Sequence, residues 1–126
     1  MNQVDTRACH GDYGPIQVIL ANGRTATCDW DSHGVADPNR DLARFLVQLE
    51  RLALKRFGSI WALDGAAGVL LKTYTGLAGP ANEVNLQFYK AANHLKWTTE
   101  KIDKPHWREG IEMALDKSLR ALEGIH

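Results

Sequence analysis

The chain has little cysteine, no net charge and no long apolar run, and each shortage removes a class of protein. Cys9 and Cys28 are the two cysteines in 126 residues. Small folds stapled by disulfides carry more, so that scaffold is excluded and two free thiols in a reducing compartment are expected. Lysine plus arginine and aspartate plus glutamate number 15 each, giving a formal net charge of zero. A whole-molecule basic field for nucleic acid is therefore absent, as is the acidic field of a DNA mimic. No uncharged stretch approaches the ~20 residues a membrane helix needs. The N-terminal stretch holds Asp5, His10 and Asp12 and no apolar leader segment, so a cytoplasmic protein that avoids membranes is expected. G-x-S-x-G, H-E-x-x-H, P-loop and G-x-G-x-x-G patterns are missing. So are internal repeats and low-complexity tracts.

What remains is an ordinary globular composition, 44% hydrophobic and 24% charged, enough for one domain with its own core. The neutral total hides a gradient. Residues 1–37 hold Arg7 and Arg24 against Asp5, Asp12, Asp29, Asp31 and Asp37, a net of −3. Residues 38–57 hold Arg40, Arg44, Arg51, Lys55 and Arg56 against Asp41 and Glu50, a net of +3. Residues 58–126 balance, with eight charges of each sign. Packing of the acidic segment on the basic one would neutralise both.

Residues 1–14 lack periodicity and are expected to form a flexible N-terminal tail, leaving 15–126 as the domain. The β-rich Pro15–Ala21 stretch, then Asn22-Gly23, then Arg24–Trp30 predict a hairpin over 15–30, because Asn-Gly suits the positive φ angles of a tight turn. Asp37-Pro38 opens a helix over 38–57 and Gly58 closes it. Leu42, Phe45, Leu46, Leu49, Leu52 and Ala53 form its inward stripe. Ser59–Leu63 and Val69–Thr75, separated by Asp64-Gly65, predict a second hairpin over 59–75. Helices are expected over 82–97, with Val84, Phe88, Ala91, Ala92 and Leu95 inward, and over 105–123. The last places Trp107, Ile111, Ala114, Leu115, Leu119 and Leu122 inward, with Arg108–Glu112 and Asp116–Arg120 pairs outside. The predicted fold is α+β: an antiparallel sheet of about four strands with three helices packed mainly on one face. If 59–75 is not β, a helical domain with a hairpin arm replaces it.

The densest chemical cluster is Asp29-Trp30-Asp31-Ser32-His33-Gly34-Val35-Ala36-Asp37. Its spacing is similar to the start of an EF-hand calcium loop. But His33 stands where an oxygen ligand is needed, Arg40 where a bidentate glutamate is needed, and a strand precedes it. A transition metal would accept His33 with Asp29, Asp31 or Asp37, and Cys28, Cys9 and His10 could join if the tail folds back. The Cys9–Cys28 spacing matches no zinc signature. His33 beside Asp31 could serve as a base with an orienting carboxylate. The simpler reading is a turn in which Asp and Ser bond their own backbone and Asp37 caps the helix. No cofactor and no metal are expected.

Arg40, Arg44, Arg51 and Lys55 fall on one helical stripe about 22 Å long. Such a stripe can track phosphates, meet an acidic protein, or remain a solvated face. Of four tryptophans, Trp61 and Trp107 are expected in the core, and Trp30 and Trp97 as partly exposed anchors. His94, His106 and His126 are expected as surface or capping groups. The leading expectation is a non-catalytic protein of inhibitor, immunity or adaptor type. Its partner, expected to be a protein, would meet Asp29, Trp30, Asp31, His33, Arg40, Arg44, Arg51 and Lys55. The alternatives are nucleic-acid binding through the stripe and a metal-dependent hydrolase centred on 29–37. Partner identity and oligomeric state are not encoded in any pattern of this chain.

Overall fold

The computed structural model describes residues 6–100 and 105–124. The side chains of His106 and Trp107, and His126, lie outside the described residues. Asp37 accepts a hydrogen bond from Asn39 N at 2.9 Å, which caps α1 (Pro38–Phe57). Pro38 fits the first turn because its missing N–H would have no partner there. Gly58 closes the helix by donating its N–H to Leu54 O. The remaining helices are α2 (Asp64–Ala78), α3 (Glu83–Glu100) and α4 (Pro105–Glu123). No helix among the described residues is long and apolar enough to cross a membrane.

The strands are β1 (Arg7–Cys9), β2 (Val18–Ala21), β3 (Arg24–Thr27) and β4 (Gly34–Ala36). The expected single sheet is instead two separate antiparallel ribbons, β1–β4 and β2–β3. The β2–β3 hairpin turns at Asn22-Gly23, where both residues have positive φ. The β1–β4 ribbon was not foreseen. Of the stretch read as a tail, residues 1–14, Arg7–Cys9 pairs with Gly34–Ala36.

The expected hairpin over 59–75 is overturned: Asp64–Ala78 is helical. Ala67, Leu70, Leu71 and Tyr74 pack together on the core residues Leu42, Ala43, Leu46 and Leu86. Their spacing of three, one and three is the helical period. A short apolar run satisfies strand and helix patterns alike, and here packing decides for helix. The structure is therefore α+β, with four helices and two ribbons among the described residues. Its core lies between helices rather than between a sheet and one helical layer. It is close to the helical domain with a hairpin arm, with one further ribbon.

α3 packs against both α1 and α4. Its inward face differs from the apolar one expected. Phe88 and Leu95 are about half exposed, whereas Asn85, Lys90, His94 and Trp97 are buried. Trp97 and His94 are thus core groups, not an anchor and a surface residue. Trp61 is instead 48% exposed, with Lys117 Nζ 4.2 Å above its ring.

The cause of the polar interior is Glu50. It is buried on α1, 3.1 Å from Lys90 Nζ and 3.6 Å from His94 Nε2. Lys117 of α4 lies 3.9 Å from its other oxygen and also pairs with Asp64 at 3.3 Å. Burial opposes the Glu50 charge, but the His94 hydrogen bond and the ammonium groups of Lys90 and Lys117 outweigh it. Its carboxyl is held below the ordinary carboxylate value. A buried ion needs such partners, because an isolated one would be too costly.

Candidate anion-binding groove beside β4

The β1–β4 ribbon rests on the N-terminal half of α1. Asp41 of α1 accepts from His10 N at 2.6 Å and Gly11 N at 3.0 Å. Gly11 has φ +92° and its Cα faces the Ser32 backbone so closely that a Cβ would collide with it. Only glycine combines that angle with that approach. The N-terminal strand and the 29–33 loop are thereby locked to one another.

The loop is built from local bonds. Asp29 adopts φ +62°, a conformation aspartate tolerates better than most residues. Trp30 Nε1 donates to Thr27 O at 2.9 Å, and His33 N donates to Trp30 O at 3.0 Å. His33 Nδ1 lies 2.6 Å from that same carbonyl. Trp30 stacks at 4.6 Å on His10, which meets Tyr13, which meets Phe45 of α1. His10 Nε2 donates to Cys28 O at 2.8 Å, while its Nδ1 accepts from Asp12 N at 3.1 Å. His10 is therefore an anchor for the loop. Asp29, Trp30, Asp31 and His33 are exposed, Trp30 by 50%. Among the described residues no group of three or more His, Cys, Asp or Glu could hold a metal ion.

The arginine stripe does not stay intact. Arg44 is held by Asp12 at 2.6 Å and reaches Asn93 Oδ1 at 3.4 Å. Arg51 lies 4.5 Å above the buried Trp97 ring. Arg40 and Lys55 are exposed, at opposite ends of α1. Arg40 takes part in no ion pair among the described residues, and neither does Lys96 of α3.

Two grooves flank the ribbon. The first, about 700 Å³, runs along β1 and is walled by Leu42, Phe45, Leu70 and Tyr74. The second, about 710 Å³, runs along β4. Its walls join Ser32 and Gly34–Ala36 to Arg40 and Arg44 of α1 and to Phe88, Tyr89, Asn93 and Lys96 of α3. Among the described residues its one lining carboxylate is Asp41, already occupied by two backbone N–H groups. Three cations face the groove with that single, engaged acid.

Of the eight residues of the predicted surface, two, Arg40 and Arg44, line the groove, while Asp29, Trp30, Asp31 and His33 do not. Arg40 and Arg44 meet the C-terminal part of the loop; Arg51 and Lys55 lie beyond the groove. Phe88, Tyr89 and Lys96 were missed. Phe88 and Lys96 are eight residues apart on one helical face, but that face was assigned to the core. Cys9 walls both grooves. Burial, and then the charge of Asp41, push its thiol up, opposite to what an activated nucleophile needs. Burial likewise raises Tyr89, with the nearby Asp37 adding to it. The groove is equipped to bind negative charge. No family model and no curated protein matches the chain.

Proposed function

We propose that this chain is a non-catalytic cytoplasmic protein that binds an acidic protein partner, as an inhibitor, immunity protein or adaptor would. The groove beside β4 carries the reading. Arg40 and Lys96 point unpaired charge at one space, Arg44 is held in place by Asp12, and Phe88 adds a half-exposed ring. Arginine and aromatic groups side by side are the composition of binding hot spots. Val35, 74% exposed, extends the apolar part of the face. The test is crosslinking mass spectrometry on untagged protein in its native host. The expected outcome is one protein partner whose crosslinks map to Lys96 and to residues 29–44. Those crosslinks disappear in an Arg40→Glu, Phe88→Ala variant, which keeps the Lys96 amine. Retention of the same crosslinks in that variant would remove the groove from the interface.

Nucleic acid is the second reading, favoured by the Phe88 ring among cations, an arrangement that suits stacking beside phosphates. It now rests on Arg40, Lys96 and Phe88, since Arg44 and Arg51 are engaged within the fold. It requires retention on a single-stranded DNA column that falls steeply with salt. The metal-dependent hydrolase centred on His33 gains no support from the geometry of the loop.

A further inference from the structure

We infer that the partner enters the groove as an extended acidic segment that pairs with the open edge of β4 as a third strand. This rests on the protein-binding reading above and specifies how the groove is used. Among the described residues β4 pairs on one side only, with β1. In an antiparallel strand the N–H and C=O of alternate residues turn away from the partner strand, so at least one residue of Gly34–Ala36 presents both groups outward. Beyond the ladder, the groups of Gly34–Ala36 make one weak bond among the described residues, from Cys9 Sγ of β1 to Ala36 O at 3.5 Å. All of β4 lines the basic groove and none of it the other, whereas β1 lines the other in full and reaches the basic groove only through Cys9. The open edge of β4 therefore gives onto Arg40, Arg44 and Lys96.

The register states what the third strand must look like. Cys9 is buried toward α1 and pairs with Gly34, whereas Ala8 pairs with the exposed Val35 on the outer face. An added strand alternates in the same way. Its helix-side residues meet the cations and should be acidic. Its outer residues lie beside Val35 and should be apolar. Gly34 contributes no side chain on the helix side, and no atom lies within 4 Å of where its Cβ would be. Space is therefore open at that point. Charge complementarity selects this edge over those of the β2–β3 hairpin. The hollow at the hairpin, lined by Ile19, Ala21, Asn22, Arg24 and Ala26, offers a single charge.

The test uses full-length protein and three fluorescein-labelled eight-residue peptides, read by fluorescence anisotropy. One alternates glutamate and valine. One has the same composition with all glutamates first. One is the alternating peptide with backbone N-methyl groups at every second residue, which blocks pairing on one edge. The alternating peptide should bind at least about tenfold tighter than either other, and binding should vanish in the Arg40→Glu, Lys96→Glu variant. Equal binding by all three, lost in the variant, would overturn the strand pairing and leave the acidic-partner reading standing. No binding by any peptide up to about 1 mM, with single-stranded DNA retained, would overturn both.

Discussion

The two ends of α1 handle charge in opposite ways. At the C-terminal end Glu50 is buried and surrounded by Lys90, His94 and Lys117. At the N-terminal end Arg40 is exposed and unpaired among the described residues, across a groove from the equally unpaired Lys96. The first arrangement uses charge to fix how three helices meet. The second leaves charge available. The difference between the two lies in burial and partners, not in residue type.

Glu50→Gln should separate them most sharply. Removing one member of a buried ionic cluster leaves the others uncompensated, and such changes cost about 3–5 kcal/mol. Urea unfolding at neutral pH measures it, while acidic-peptide binding by the folded fraction should be unchanged. A loss under about 1 kcal/mol would mean that the cluster is solvated and that the contrast is false. The same group sets an acid limit. Its folded pKa is lowered from the ordinary 4.5, so its contribution is complete above that value and disappears as pH falls through the folded one. The wild-type unfolding midpoint should therefore drop with acid more steeply than that of Glu50→Gln. Parallel curves would assign acid sensitivity to other carboxylates.

Asp37→Ala comes next. Asp37 is 5% exposed, caps α1, and accepts from Asn39 Nδ2 at 2.7 Å and Asn85 Nδ2 at 3.1 Å. Loss of the cap and of a buried acceptor should cost about 2 kcal/mol. This residue stands at the border of the two regions, so amide exchange should rise first in the opening turn of α1. A uniform rise along the chain would show that the cap is not a local element.

These residues also mark what was legible in the sequence. The bounds of α1 were readable, because its cap, its proline and its closing glycine are local signals, but its buried face was read in part: Leu42, Leu46 and Ala53 are buried as expected, and Asn39, Ala43, Val47 and Glu50 are buried with them. The β2–β3 hairpin was readable from Asn22-Gly23 for the same reason. α2 was not, because Val69–Tyr74 fits two periods and only contact with Leu42 and Leu46 selects one. The α3 face was misread because Glu50, thirty-five residues earlier than Asn85 in the chain, draws Lys90 and His94 inward. That also released Phe88 and Lys96 to the groove. The β1–β4 ribbon depends on Gly11 meeting Ser32 and on Asp41 accepting two amides, contacts with no local pattern. The candidate site was therefore visible in part. Arg40, Arg44 and the loop are adjacent in sequence, and the α3 wall comes from the fold.

The smallest effects give the finest test, because they compare two arginines of one helix. Arg51 lies over the buried Trp97 ring, and a cation over a partly shielded ring contributes about 1 kcal/mol. Arg51→Gln should therefore lower stability by about that amount. Arg40→Gln should change it by less than about 0.5 kcal/mol, as exposed substitutions without partners do. Binding should follow the reverse order, with Arg40→Gln weakening the alternating acidic peptide and Arg51→Gln leaving it unaltered. If both arginines affect stability and binding alike, the stripe acts as one surface, as its spacing alone suggests. If they divide as expected, position relative to Trp97 and to the β4 edge decides what each charge does. The groove is then the part of α1 that faces a partner.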